Sequence, residues 1–262
     1  MTEKIRDYSV NGAMIIGVDN GYGNMKTARR CFKTALVKFD SEPVLSREYL
    51  EYKGKFYVIG EGHKGFVADK QSDEDNYILT LAAIAKELEA RGMKDAVNTA
   101  RVHLAVGLPL KWVQAQKEDF RNYLMRNRLV EVRYKNRLYR LEFVGCTVMP
   151  QCYSAVAENL KEFKGITLLA DIGNGTMNLM YLNNGRPMES KSWTEKLGVF
   201  QCYQKIHNLV QDNTGDCLMA EVVEQFGKYN PERAIFNHDI RANAKGYEYY
   251  CYMLLRHQNQ RK

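Results

Sequence analysis

One pattern occurs twice in this chain and sets narrow limits on the fold. VDNGYGNMK (Val18 to Lys26) and ADIGNGTMN (Ala170 to Asn178) both run from an apolar strand into Asp-x-Gly-x-Gly-x-Met and out along a second strand. Aligned, Asp19 matches Asp171, Gly21 matches Gly173, Gly23 matches Gly175 and Met25 matches Met177. AMIIGV and GITLLA lead in, and MKTARR and MNLMYL lead out. Each copy therefore reads as a hairpin with a carboxylate at the end of its first strand and glycines at its bend. A single Asp-Asn-Gly or Asn-Gly bend is an ordinary hairpin signal; two matched copies about one domain length apart point to a shared site. Glycine permits positive φ and close backbone approach, so such a bend can turn main-chain N–H groups toward an anion. The Asp beside it can hold a metal ion, chiefly through water. Facing each other, the two hairpins would clamp the phosphates of a Mg-nucleotide from both sides. Other phosphate motifs do not fit: there is no GxxxxGK[ST], and the bends lead into strands rather than opening helices, which excludes the P-loop and Rossmann arrangements.

At 262 residues the chain can bury a substantial core in one domain or two. Hydrophobic residues make up 45% and charged residues 26%, the balance of a soluble globular protein. No apolar run approaches the roughly 18 residues of a membrane span, and MTEKIRDYSVNG has no signal-peptide core, so a cytoplasmic protein without membrane contact is expected. Six cysteines (Cys31, Cys146, Cys152, Cys202, Cys217, Cys251) form no CxxC. Lying mainly in apolar stretches, they predict reduced, buried thiols rather than disulfides or a zinc site. The net charge of +7 raises the question of nucleic acid. Basic residues are spread along the chain, except in RNRLVEVRYKNRLYR (Arg126 to Arg140) and the final RHQNQRK. In the first of these the charges alternate with Leu, Val and Tyr at strand spacing, the mark of a hairpin's wet face. Direct DNA binding is therefore not expected; acidic partners or neighbouring copies of the chain suit the charge as well.

Residues 13 to 60 read as a β-meander with bends at Gly54 and Gly60, followed by a turn-rich segment (GEGHKGFVADKQSDEDN) holding His63, a surface loop or a small inserted subdomain. DNYILTLAAIAKELEAR has helical spacing with an Asp or Asn cap, then RVHLAVGL is a strand ending at Pro109 and KWVQAQKEDFRNYLMRN an amphipathic helix. LVEVRY and RLYRLEFVGCTV make a hairpin around Lys135–Asn136. The second half repeats the theme: QCYSAVAENLKEF reads as helix after Pro150, and ITLLADI, MNLMYLNN and RPMESKSW form a meander turning at Asn184–Gly185. LGVFQCYQKIHNLVQDN and DCLMAEVVEQF read as helices, Asn230–Pro231 breaks the pattern, and a last helix from about Asp239 to Leu255 carries a Tyr-rich stripe suited to packing. Strands then helices, twice over, predict two related α/β lobes with a cleft between them.

At these motifs the sequence resembles the actin, chaperone and sugar-kinase superfamily, and within it the ParM/StbA-type actin-like ATPases of plasmid segregation, over roughly Met14 to Leu255. VHLAVGLPLKW resembles the family's strand into a Gly-Leu-Pro turn, and VMPQCYSAVAENL its connecting segment, where Pro-Gln or Pro-Glu precedes a helix. The resemblance implies an actin-like (ribonuclease H-like) two-lobed α/β fold, each lobe a mixed sheet with helices, divided into residues 1–160 and 161–262. It implies Mg²⁺ with ATP or GTP as cofactor: Asp19 and Asp171 would bracket the hydrated ion. Backbone amides at Gly21, Tyr22, Gly23 and Asn24, and at Gly173, Asn174, Gly175 and Thr176, would hold the β- and γ-phosphates. Asn24 and Thr176 could add side-chain bonds and Lys26 a positive charge. Gln151, with Asp171, falls at the catalytic position, where it would orient the attacking water. A neutral amide orients water but is a poor base, so slow turnover is expected; the bland reading of Gln151 is a helix-start residue after Pro150. The implied partners are further copies of the chain in a filament and a DNA-bound adaptor of a plasmid partition system.

One departure stands out. The family follows its late helix with a glycine-rich adenosine strand, whereas after Gly198 only Gly215, Gly227 and Gly246 remain here, scattered. A truncated second lobe without that base-binding wall is therefore expected, with Tyr247, Tyr250, Met253 and Leu254 partly exposed and self-associating. Two other functions stay open: a catalytically silent binding module of the same fold, and a small-molecule kinase of the superfamily, for which no first-lobe Asp base is seen.

Overall fold

The first sheet grows from a strand that is apolar almost throughout. In the structure, a computed structural model describing residues 5–46, 48–62, 74–214 and 239–260, β1 (Ser9–Val10) pairs with β2 (Ala13–Asn20), and seven of β2's eight residues are buried. Burial on both faces explains the run AMIIGV, since a strand covered on one face only would alternate. Then follow β3 (Asn24–Lys26), β4 (Cys31–Lys33), β5 (Leu36–Phe39), β6 (Tyr49–Tyr52), β7 (Lys55–Ile59), α1 (Glu74–Ala90), β8 (Val97–Leu108), α2 (Val113–Leu124), β9 (Leu129–Tyr134) and β10 (Arg137–Pro150). The sheet order is β4-β3-β2-β8-β10-β9-β6-β7-β5, with β2, β8 and β10 parallel and the flanks antiparallel. Lys135–Asn136 turns β9 into β10 with φ of 49° and 61°, the positive pair a two-residue hairpin of matching twist needs. On β9 the side chains alternate exposed and buried, as the charge spacing predicts.

After β10 comes a 3₁₀ helix (Ser154–Glu162), then an antiparallel meander of β11 (Ile166–Ile172), β12 (Met177–Asn183) and β13 (Arg186–Glu195), α3 (Val199–Thr214) and α4 (Ala242–Gln260). The 3₁₀ form replaces the α-helix expected after Pro150: Cys152 takes φ of 71°, which interrupts any helical run, and the Ser154 hydroxyl donates to the Pro150 carbonyl at 2.8 Å. The expected strand MKTARR is also cut short. Thr27 N–H turns back to Arg30 O, and the Thr27 hydroxyl is held at 2.6 Å by Glu87 of α1, a contact no local pattern reveals. The expected helix DCLMAEVVEQF, the Asn230–Pro231 break, His63 and Cys217 lie outside the described residues.

Helices cover both faces of the first sheet. Ile16 and Val18 of β2 join Val102, Leu104 and Val106 of β8 in the core beneath α1. Ile15 and Ala105, pointing the other way, pack with Met149, Tyr247 and Cys251 beneath α4. This placement corrects the expectation at Tyr247, which is fully buried together with Cys251, whereas Tyr250, Met253 and Leu254 are partly exposed, as expected. The approach is close enough to demand glycine. A Cβ on Gly246 would fall 1.7 Å from the Ser154 carbonyl oxygen, and one on Gly107 1.9 Å from the Tyr247 hydroxyl.

An ionic cluster ties the same elements together. Among the described residues no strand lies beside the edge of β2 between β1 and β3, and there Gly17 N–H donates to Glu248 of α4 while Ile15 O accepts from Arg91. Arg91 also binds Glu248 at 2.5 Å and Glu87 at 2.9 Å. Burial pushes the Glu248 carboxyl up to about 7 against the pull of Arg91 and Gly17 N–H. Of the described cysteines, all reduced, Cys146, Cys152 and Cys251 are buried; Cys31 and Cys202 are exposed, against expectation, Cys31 because it lies on the edge strand β4. Among the described residues no helix is long and apolar enough to cross a membrane.

Candidate functional site

The first hairpin delivers a buried carboxylate to the end of β2. Asp19 is 2% exposed, and a buried charge needs partners. The antiparallel register sets Asp19 directly opposite Lys26, so both side chains share one face and Lys26 Nζ reaches Asp19 Oδ2 at 2.9 Å. Gln151 Nε2 donates to the other oxygen, Oδ1, at 3.3 Å. Burial opposes the charge on Lys26, but Asp19 and then Asp171 outweigh it and hold its pKa above the usual value. Thr34 fastens the bend, its hydroxyl on Gly21 O at 2.7 Å and its N–H on Gly23 O at 3.0 Å.

The second hairpin brings Asp171 to the same place. Burial raises its carboxyl; the Asn243 amide, bound to Oδ2 at 3.0 Å, opposes this, while the nearby charge of Asp19 adds to it. Asn243 opens α4 and also accepts from Cys152 N–H at 3.2 Å, so one side chain joins the second hairpin to the backbone beside Gln151. The first turn of α3 seats on the bend: Val199 and Phe200 N–H donate to Gly173 O and Asn174 O, each at 3.0 Å, partners that satisfy the free donors of a helix start.

The two bends meet. A Cβ on Gly23 would lie 3.0 Å from Asn174 Nδ2 and 3.1 Å from Asn174 Cβ, so the glycine admits direct contact between the hairpins. Of the amides singled out by sequence, Gly21 N–H is engaged by Asp19 O and Gly173 N–H by Thr176 O. Asn24 and Asn174 are exposed, Gly175 and Thr176 buried, and Tyr22 partly buried, which raises its phenol. Asp19, Lys26, Asp171 and Gln151 thus converge between the bends. Two residues that sequence reasoning missed complete the group, Asn178 and Asn243. Asn178 lies opposite Asp171 in the β11–β12 register, a signal available from the hairpin alignment; for Asn243, far along the chain, there was none.

The donor set suits Mg²⁺. That ion keeps several waters and takes one or two carboxylates plus phosphate oxygens. Asp19 is near enough to Asp171 for its charge to help raise the Asp171 carboxyl, and among the described residues no cluster of three or more His, Cys, Asp or Glu offers an all-protein cage.

Two sheets that each carry a glycine hairpin with an Asp near the end of its first strand, the two bends in contact and the two Asp side chains close together, suit an actin-like fold. Residues 17–153 match the family model for the N-terminal domain of actin-like proteins, more than half of the 262-residue chain. The chain belongs to the actin-like protein family. Among solved structures it is similar to the apo psk41 ParM protein, with a TM-score of 0.64 at 15% identity over 95% of this chain and 99% of that one. An archaeal actin homolog matches with 0.63 at 15% identity over 80% and 70%, and an AlfA filament bound to AMPPNP with 0.60 at 15% identity over 94% and 99%. Among curated protein sequences none matches.

Proposed function

We propose that this chain binds ATP or GTP with Mg²⁺ between its two hairpins, hydrolyses it slowly, and assembles into filaments that move plasmid DNA through a DNA-bound adaptor. The observation that carries the reading is the meeting of Asp19, Lys26, Asp171 and Gln151 where the Gly23 and Asn174 bends touch. Structures of relatives described as an archaeal homolog in complex with ADP and as an AlfA filament bound to AMPPNP support it by analogy of fold. The lobe division near residue 160 belongs to this proposal, with α4 returning to the first sheet.

Phosphoryl transfer depends on positioning and charge stabilisation more than on covalent chemistry. Bound Mg²⁺ would neutralise charge on the phosphate oxygens. Asp19 and Asp171 would hold it, the bend amides and Lys26 would hold phosphate, and Gln151 would orient a water. That water's oxygen bonds to the γ-phosphorus as the bond to the bridging oxygen breaks; the diphosphate leaves with the electron pair, and the water's proton passes to the released phosphate. A silent binding module is the second reading, favoured by the engagement of both ends of the Gln151 amide, by Asp19 and Asn178. Calorimetry on Asp171→Ala tests the clamp: Mg-dependent nucleotide binding is expected to vanish with the melting temperature kept. Sedimentation with and without nucleotide tests assembly. Unchanged affinity in the variant would sink the clamp, and binding without turnover or pelleting would favour the silent module.

A further inference from the structure

Gln151 is held from both ends by groups that can act in one sense only. Leu110 N–H, a pure donor, sits 3.2 Å from Asn178 Oδ1, and the Thr194 hydroxyl donates to the same oxygen at 2.9 Å. This fixes the Asn178 amide, since its oxygen must face Leu110 and its nitrogen must then face Gln151, where Nδ2 donates to Oε1 at 3.4 Å. At the far end an ionised Asp19 accepts and cannot donate, so Gln151 must present Nε2 to it. The two constraints agree. Asn178 is 1% exposed and Gln151 8%, so water does not compete freely for these bonds.

We infer that Asn178 is a positioning residue for Gln151: by donating to Oε1 from β12, it fixes which face of the Gln151 amide meets the cleft and holds the side chain against Asp19. The inference rests on the proposed hydrolysis, in which Gln151 orients the water. It also assigns Asn178 a bridging part, because Leu110 and Gln151 belong to the segments that end β8 and β10, whereas Asn178 belongs to the second sheet. The turn at Leu108–Leu110 is gripped twice, Leu108 O by Gln151 N–H at 2.9 Å and Leu110 N–H by Asn178. A shift of β12 relative to β8 therefore moves the Gln151 amide directly.

A structural role for Asn178, holding the turn and Thr194, needs only its oxygen. Asn178→Asp keeps that oxygen but offers Gln151 an acceptor in place of a donor, so the Gln151 amide must turn over or be released. Turnover by the full chain is measured for the wild type, N178D, N178A, Q151A and Q151A/N178A, with nucleotide affinity by calorimetry and folding by thermal melt. N178D puts a charge on a side chain that is 1% exposed and lies opposite Asp171. It is therefore expected to melt below the wild type yet stay folded, while its kcat falls about 10-fold to 10²-fold, as misplacement of a catalytic group costs. N178A adds no charge, so it is the variant expected to keep the wild-type nucleotide affinity, and it should slow turnover similarly. The double variant should be no slower than Q151A, because Asn178 acts through Gln151. Wild-type kcat in N178D and N178A, or a double variant slowed by the product of the single effects, would overturn the inference alone. Failure of the wild type to turn over ATP or GTP, or of Q151A to slow it, would overturn the hydrolytic reading and this inference with it.

Discussion

Replacing Arg91 by Met should destabilise this protein more than any exposed substitution. Arg91 is 4% exposed, and its guanidinium meets Glu87, Glu248 and the Ile15 carbonyl while its partners' side chains are 0% and 1% exposed. Methionine fills similar space but takes from buried Glu248 the cation it pairs with, while Glu87 keeps Arg29. Removing one partner of a buried pair costs about 3–5 kcal/mol, because the other charge stays desolvated. For a chain of this size each kcal/mol moves the melting temperature by about 2–4 °C, so a fall of roughly 10 °C is expected. The loss should depend on pH. Burial already holds the Glu248 carboxyl near 7, above its unfolded value, and loss of Arg91 raises it further. A carboxyl raised on folding stabilises most below its unfolded pKa, and that contribution disappears as pH rises through the folded value. The variant should therefore be least stable relative to wild type near pH 8 and recover part of the loss near pH 5. Arg91→Met combined with Glu248→Gln should recover part of it at every pH. Urea titrations at both pH values measure this. A loss below about 1 kcal/mol, or one independent of pH, would refute the buried cluster as the joint between α1, β2 and α4.

Three further outcomes are expected. Gly246→Ala puts a methyl 1.7 Å from the Ser154 carbonyl; overpacking of this kind costs about 1–3 kcal/mol or more, and an unchanged melt would contradict the docking of α4. His103 is held neutral, since burial and Arg121 lower its pKa from 6.5 to about 4. Stability is then full above pH 6.5 and lost as pH falls toward 4, so wild type should lose about 2 kcal/mol more than His103→Gln between pH 7 and pH 5, read by urea titration. Asn243→Ala removes the amide that opposes burial at Asp171, so Mg-dependent nucleotide affinity should weaken about 10-fold, in the range for lost outer-shell partners of a metal site; unchanged affinity by calorimetry would leave Asn243 a purely structural tie.

The sequence by itself determined what depends on a few neighbouring residues. Both Asp-x-Gly-x-Gly-x-Met hairpins form, but none of their glycines takes the positive φ expected of such bends; Gly21 and Gly23 serve by close approach instead. Lys135–Asn136 and Asn184–Gly185 turn as their positive-φ residues dictate, and period-two burial on β9 follows its alternating charges. The family's motifs pointed to Asp19, Asp171 and Gln151, and the structure brings their side chains near one another. Tertiary structure alone decided what those residues touch. Nothing near Asn243 in the chain announces its bond to Asp171, 72 residues away, and nothing in α4's tyrosines says that they lie under the first sheet. Gly17 N–H finds Glu248 across 231 residues, and Thr27 ends a strand early because Glu87 reaches it from α1. Turn and strand preferences arise from sterics within a few residues and are written locally. The partners of a buried polar group are set by which distant segments the packed core brings within about 3 Å, and that is known only once the chain has closed on itself.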